Sequence, residues 1–168
     1  MTRKCTISRQ EAIDQLRLCG IEGTEVYLID IIPLIEMIWA DGRAQEAEIE
    51  LLADFLKRHV NHINRIAGCK LLSLKSAKKF ALRFLRKRPD PKLLQLLRNL
   101  IKPVRLATSD ILADDETCMS LLAACLDIAS SSVTKYPYGL NDRFNSSEKK
   151  CFFEILDSLE GCRKSVQI

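Results

Sequence analysis

The segment Met37-Ile-Trp-Ala-Asp41-Gly-Arg-Ala-Gln-Glu-Ala-Glu48 joins an apolar run to a polar helix through an Asp-Gly pair. Upstream the apolar residues recur at the spacing of a buried helix, and downstream the pattern is that of an amphipathic helix. Asp-Gly is ordinary turn chemistry, and the helix dipole favours a glutamate in the first turn. The segment therefore predicts two helices joined by a tight turn, with a carboxylate on each side of it.

Start and stop signals along the rest of the chain predict helices and no strands. Ser8 and Glu11 form a capping-box pattern, and Asp90 followed by Pro91 is a typical helix start. Because Pro33 lies inside the second predicted helix, we expect a kink there, or a break with Asp30 capping a second piece. The predicted helices cover about 8–20, 24–40, 45–59, 73–87, 90–103, 104–112, 114–130 and 145–161, with a short helical turn within 60–68.

These signals predict an all-α, single-domain bundle of about seven to nine helices over residues 1–168. A chain of 168 residues can bury about two-thirds of its unfolded surface in one core. The N-terminal segment has early positive charge but no apolar h-region, which argues against a secretory signal. The most apolar stretch, 26–40, contains charged residues and is too short to span a bilayer. We therefore expect a cytoplasmic protein.

The seven cysteines are odd in number, form no C-x-x-C pair, and are accompanied by only two histidines, His59 and His62. This argues against a disulfide framework and against a structural zinc site. Cys118 and Cys125 share one helical face, where thiols act as small core residues. The histidines are expected at an exposed helix end, with a soft metal site shared with Cys69 as the alternative.

Charge is distributed unevenly along the chain. Residues 24–54 hold eight acids against Arg43, and residues 57–105 hold fifteen basic residues against Asp90. Residues 110–160 hold ten acids and four bases. This acidic, basic, acidic order predicts attraction between the middle segment and both ends, which needs no external partner.

The two acidic ends share a weak internal repeat. In the first, an apolar helix ends at Ala40, and Glu48 heads the next helix after the Asp-Gly turn. In the second, an apolar helix ends at Ala129, and Glu148 heads the last helix after a longer loop. Because duplicated helical hairpins tend to pack about a pseudo-twofold axis, we expect two pseudo-symmetric halves whose corresponding loops come close together. The predicted first half, basic middle and second half cover about 24–68, 70–105 and 110–160.

Ala40-Asp41-Gly42, followed by Glu48 at the head of an amphipathic helix, resembles the signature of the TerB family of tellurite-resistance proteins. The stretch from Asp127 to Glu148, with Tyr138-Gly-Leu-Asn before the glutamate, resembles the second repeat of that family. The resemblance covers roughly 26–159. It implies an all-helical, two-halved, non-enzymatic protein linked to tellurite resistance and chemical stress. It also implies protein partners in a stress-response system and acidic residues that bind a divalent metal.

One departure from the family pattern concerns the second half. Ser130-Ser131 stands where the first half has Asp-Gly, and the nearest acid before Glu148 is Asp142. This departure argues against a symmetric metal site with equivalent ligands from both halves. Carboxylate ligands favour calcium or magnesium over zinc, the spacing is not that of an EF-hand, and no organic cofactor is expected. The candidate metal ligands are Asp41, Glu48, Asp142 and Glu148.

Helix capping is the structural alternative for the two glutamates. Asn145 is a proper capping residue for a reciprocal pair with Glu148. Gln45 occupies the corresponding place before Glu48 and is a poor capping residue, so capping is expected to explain Glu48 less well.

The basic helix over 75–88 offers an alternative function, a binding module for phosphate, nucleic acid or an anionic membrane surface. Four of its seven basic residues form one stripe, namely Lys75, Lys79, Arg83 and Arg86. Phe80, Leu82 and Leu85 are predicted on the opposite, apolar side. No recognition helix or RNA-binding motif accompanies the stripe, so nucleic acid is a less favoured partner than a membrane surface. A helix face that contacts the chain's own acids is the simpler interpretation.

No enzymatic activity is predicted, because the chain has no Gly-rich phosphate loop, nucleophile elbow or H-E-x-x-H motif. Glu36 lies among apolar residues and would be costly to bury unpaired, so we expect either a basic partner from the middle segment or a side chain turned to solvent. Trp39 is expected to be a core aromatic residue. The sequence predicts no particular oligomeric state.

Overall fold

The structure, a computed structural model, describes residues 7–104, 124, 125, 128 and 146–160. Within these residues it contains six α-helices, one 3-10 helix and no strand, which confirms the predicted all-α class. Ala124, Cys125 and Ile128 also have helical backbone. The elements are α1 (Arg9–Leu18), the 3-10 helix (Gly23–Ile31), α2 (Ile32–Trp39), α3 (Glu46–Ala67), α4 (Leu74–Leu85), α5 (Pro91–Val104) and α6 (Ser146–Glu160).

Local capping sets three of the predicted helix starts. At α1, the Ser8 hydroxyl accepts the backbone N–H of Glu11 at 3.2 Å, and the Glu11 carboxylate accepts the N–H of Ser8 at 2.8 Å. Ser73 and Asp90 precede α4 and α5, and the side-chain oxygen of each accepts a backbone N–H of the first turn. These bonds occupy donors that have no partner inside a helix.

The segment predicted as one helix over 24–40 is broken near Pro33. The 3-10 helix runs to Ile31, and Pro33 then lies in the first turn of α2, where its missing N–H removes no helical hydrogen bond. The residue before α2 is Ile31, which provides no side-chain cap, so the prediction that Asp30 caps this piece is wrong. The Asp30 carboxylate instead lies 3.8 Å from Nε2 of His59.

Helix α3 is longer than predicted. It continues through the segment expected to hold a separate turn, and it ends at Gly68, whose φ of 69° is in the left-handed region that favours glycine. His59 is therefore inside the helix and buried, not at an exposed end, and its Nε2 lies 2.8 Å from the carbonyl oxygen of Tyr27. Since a carbonyl only accepts, that nitrogen carries the proton.

At the other end of the first described range, Pro103 does not end α5 but lies inside it, and the helix runs to Val104. The segments 105–123 and 129–145, which include the helix predicted over 104–112, lie outside the described residues.

Helix α2 lies in the core, because all its side chains except that of Glu36 are apolar. Helix α5 packs against α1, α2, the 3-10 helix and α6, while α3 packs against α2 and α4. Although α2 is apolar, neither it nor any other described helix has the length and apolarity needed to cross a membrane. The α2 side chains that are at most 1% exposed are Ile32, Leu34, Ile35, Met37 and Ile38.

Glu36, the only charged residue of α2, pairs with Arg98 of α5, which confirms the expected basic partner from the middle segment. Nη1 of Arg98 lies 3.0 and 3.1 Å from the two carboxylate oxygens of Glu36. The two side chains are only 4% and 10% exposed. Burial raises the pKa of Glu36 to about 7, and the charge of Arg98 opposes this rise. The pair joins α2 to α5, and both helices contribute side chains to the core.

The cysteines within the described residues are free thiols, namely Cys19, Cys69, Cys125 and Cys151. Cys125 is fully buried, and burial raises its pKa. Burial also raises the pKa of Cys151 to about 12, so neither thiol is ionised near neutral pH. These properties fit the predicted role of Cys125 as a small core residue.

Asn64, in the last turn of α3, connects that helix to the segment that leads into α4. Its Oδ1 accepts the backbone N–H groups of Leu71 and Leu72 at 2.9 and 2.8 Å, and its Nδ2 donates to the carbonyl of Leu72 at 2.8 Å. We expect Asn64→Ala to lower the free energy of unfolding by about 2 kcal/mol, because partly buried backbone groups lose their partners. Urea denaturation measures this change.

The matched control for this variant is Asn61→Ala, since Asn61 is exposed on the same helix. Both substitutions raise helix propensity equally. Equal stabilities for the two variants would contradict the role assigned to Asn64.

Candidate metal centre

The turn between α2 and α3 fixes the side chain of Asp41. The N–H of Gly42 donates to the carbonyl of Trp39 at 2.9 Å. Gly42 has a φ of 86°, a conformation that side chains rarely adopt, which explains why glycine follows the aspartate. Oδ1 of Asp41 accepts the N–H of Arg43 at 3.0 Å, so the carboxylate is held against its own turn.

Gln45 connects Asp41 to Glu48. The backbone N–H of Gln45 donates to Oε2 of Glu48 at 2.9 Å, and the side-chain amide of Gln45 donates to Oδ2 of Asp41 at 3.3 Å. The expectation that capping explains Glu48 poorly is therefore wrong, because Gln45 is the N-cap of α3 and shares a capping box with Glu48. The spacing of Gln45 and Glu48, three residues apart, was the available sequence signal.

Glu148 completes a cluster of three carboxylates. It is the third residue of α6, as Glu48 is of α3, and α6 packs against α2. One carboxylate oxygen from each of Asp41, Glu48 and Glu148 lies within 4.8 Å of the other two. Glu48 and Glu148 are 1% and 2% exposed. Asp142, the fourth predicted ligand, lies outside the described residues.

The cluster concentrates negative charge in a place where water is largely excluded. Burial raises the pKa of Glu48 to about 7, the hydrogen bond from the backbone of Gln45 lowers it, and the charges of Asp41 and Glu148 raise it further. Within the residues that the structure describes, neither Asp41 nor Glu48 takes part in a salt bridge. A cation would supply the positive charge that these two carboxylates lack.

The dimensions of the cluster fit a hard divalent cation. Oxygen ligands bind calcium at about 2.4 Å, so two ligands on opposite sides of one ion are about 4.8 Å apart. The three carboxylates can therefore contact a single ion with small side-chain adjustments. Calcium and magnesium take six or more oxygens, so backbone carbonyls, water or Asp142 would complete the shell. The ligand set is all oxygen, which disfavours zinc.

The alternative soft site does not form in the described part of the chain. Among the residues described there, the only group of three metal-ligating side chains within ligand distance of one another is the acidic cluster. His59 contacts the carbonyl of Tyr27, Nδ1 of His62 lies 3.2 Å from Arg65, and Cys69 is exposed.

One residue of the basic stripe of α4, Arg83, contacts other parts of the same chain. Arg83 forms an ion pair with Glu25 at 3.1 Å, and it donates to the carbonyl of Gly20 at 3.2 Å. This matches the simpler interpretation, in which the basic middle segment contacts the acidic first half. The apolar side differs from the prediction, because Leu82 is 44% exposed and Phe84 is buried in its place.

In comparisons with known proteins, no family model, curated protein or solved structure matched this chain. The resemblance to the TerB family therefore stays a prediction that rests on the motif residues.

Proposed function

We propose that this chain is a non-enzymatic, TerB-like helical protein that binds one divalent cation through Asp41, Glu48 and Glu148. The observation that carries this proposal is the meeting of three carboxylates from separate elements within 4.8 Å. Calcium or magnesium is favoured over zinc because every ligand is a carboxylate oxygen. Asp142, which precedes α6 in the chain, is the candidate for a fourth ligand.

The physiological part of the proposal follows from the resemblance. A TerB-like protein would act in tellurite resistance or a wider chemical-stress response in the cytoplasm, together with protein partners. The two related halves belong to the same proposal, supported by the equivalent positions of Glu48 and Glu148, each the third residue of its helix. Phosphate or membrane binding by α4 is the alternative hypothesis, with less support because Arg83 contacts Glu25.

Calorimetric titration of the metal-free protein with calcium and magnesium tests the cation site. We expect saturable binding, and we expect the isosteric variant Asp41→Asn/Glu48→Gln to bind more than about 100-fold more weakly, because even the loss of an outer-shell partner costs 10–100-fold.

The matched control is Glu46→Gln/Glu50→Gln, which removes two exposed carboxylates of the same helix. It should bind the ion like the unmodified protein. Equal weakening in the two double variants would show that net charge alone attracts the ion, and absence of binding would reject the site.

A further inference from the structure

A cavity of about 360 Å³ lies among α2, α5 and α6, beside the carboxylate cluster. Trp39 and Ala40 line it from the end of α2, and Ser147 lines it from the first turn of α6. Ala40 and Ser147 are the residues directly before Asp41 and Glu148 in the chain. The cavity and the cluster are therefore neighbours, and a charged ligand in the cavity would interact electrostatically with the carboxylates or with an ion bound to them.

Positive side chains outnumber negative ones in the lining of this cavity. Arg88, Lys92 and Lys150 line it, and within the described residues no ion pair neutralises any of the three. Two carboxylates also line it, those of Glu36 and Glu154. The Glu36 carboxylate is already held by Arg98, so the lining retains an excess of positive charge.

Arg88 connects the cavity to the turn that holds Asp41. A Cβ atom placed on Gly42 would lie 3.6 Å from Nη1 of Arg88, so the guanidinium reaches the backbone of that turn. The same side chain lines the cavity. Pro91 and Ser147, in the first turns of α5 and α6, also line it, and the positive ends of two helix dipoles add to the attraction for an anion.

We propose that this cavity binds a small molecule bearing a phosphate group, and that a divalent cation at the neighbouring carboxylate cluster strengthens this binding. The planar guanidinium of Arg88 can bind two phosphate oxygens at once, and Lys92 and Lys150 contribute compact charges. The volume is at the lower end of the range for small-molecule sites, about 300–1,000 Å³. Only the second part of the proposal rests on the proposed function.

The coupling between the two sites follows from their charges. Without an ion, the carboxylates of Asp41, Glu48 and Glu148 repel an anion that enters the cavity. A bound divalent cation cancels most of that repulsion, so the anion binds more tightly, and by linkage the anion strengthens binding of the cation by the same factor. We expect a factor of about ten, within the usual range of such couplings.

Trp39 provides the readout, because it is the only tryptophan of the chain and it lines the cavity. The full chain is titrated with inorganic phosphate and with glycerol 3-phosphate at constant ionic strength, once with EDTA and once with saturating magnesium chloride. We expect a saturable change in tryptophan emission with both probes, about tenfold tighter with magnesium. Tighter binding of glycerol 3-phosphate points to a phosphate ester as the ligand, and tighter binding of inorganic phosphate points to the free ion.

The decisive variant is Arg88→Ala/Lys150→Ala, with Arg86→Ala/Lys149→Ala as its control. The control residues are exposed, as Arg88 and Lys150 are, and lie two and one positions away, but they are not part of the lining described for the cavity. Both variants lose the same net charge. We expect the first to bind phosphate at least about tenfold more weakly, by the loss of a charge-assisted contact, and the control to bind within twofold of the unmodified chain.

If both double variants bound phosphate equally weakly, the proposal would be overturned. Phosphate would then be attracted by the general positive charge of the surface and not by the residues that line the cavity. A titration without saturation would overturn it as well. The two sites can also be told apart. If phosphate binds in EDTA through Arg88 and Lys150 but calorimetry shows no magnesium binding, the cavity is supported and the cation site is rejected. Magnesium uptake without phosphate binding would reject the cavity and leave the cation site standing.

Discussion

Arg98→Met is expected to lower the free energy of unfolding at pH 8 by about 3–5 kcal/mol, because it leaves a buried carboxylate without its partner. Both oxygens of Glu36 lie 3.0–3.1 Å from Nη1 of Arg98, and both side chains are almost fully buried. The loss should be smaller at pH 5, where Glu36 takes up a proton and no charge is left to compensate. Denaturant unfolding at the two pH values measures both effects.

The double variant Glu36→Leu/Arg98→Met should recover most of this stability, because a buried ion pair is often no more stabilising than apolar residues of similar volume. Nε of Arg98 is buried with no hydrogen-bond partner among the described residues, which lowers the net contribution of the native pair. Arg17→Met is the surface control, since Arg17 and Asp14 form an exposed pair at 3.8 Å. If Arg98→Met lowered the free energy of unfolding by less than about 1 kcal/mol, the Glu36–Arg98 pair would contribute no more than an exposed surface pair. That result would contradict the stabilising role assigned to the buried pair.

In EDTA, stability is expected to fall as the pH rises from about 5 to about 8. The pKa of Glu48 rises from 4.5 to about 7 on folding, so in this range the folded protein holds a proton that the unfolded chain has lost. The unfolded state then binds fewer protons, and the free energy of unfolding decreases with pH. For Glu48 alone the decrease amounts to about 3 kcal/mol. Glu36, whose pKa is raised in the same direction, adds to the slope.

A divalent cation should reverse this loss. At pH 8 and 100 times its Kd, magnesium is expected to raise the free energy of unfolding by about 2.7 kcal/mol. At pH 5 it should do little, because the ligands must give up their protons before they bind metal. Glu48→Gln should reduce the pH slope to the part that Glu36 contributes and abolish the effect of magnesium. Urea denaturation with and without the ion measures both changes. An unchanged slope in this variant would contradict the raised pKa of Glu48.

Local chemistry made several features of the fold predictable from the sequence. Ser8, Ser73 and Asp90 mark helix starts because their side chains bond backbone groups within the same turn. The basic partner of Glu36 could be assigned to the middle segment, since an unpaired buried charge is costly. Which of the fifteen basic residues of that segment forms the pair depends on how α5 packs on α2, and this is not encoded locally.

Other features depend on tertiary packing, and the sequence patterns missed them. Helix α3 continues beyond His59 to Ala67, and His59 and Val60 are buried against the rest of the fold. Leu82 fits the helical period of a core residue but lies at the surface. The repeat and the TerB resemblance grouped Asp41, Glu48, Asp142 and Glu148 as candidate ligands, and the structure places the carboxylates of Asp41, Glu48 and Glu148 together. Binding of an ion by them stays a prediction.

The carboxylate cluster also bears on how the molecule opens. Asp41 and Glu48 belong to the first part of the chain and Glu148 to the last described helix. An ion held by all three would act as a removable cross-link, so local detachment of α6 would require release of the ion. Amide hydrogen exchange in α6 should then slow in step with ion concentration, while exchange in α1, far along the chain from every ligand, should stay at its own rate until global unfolding.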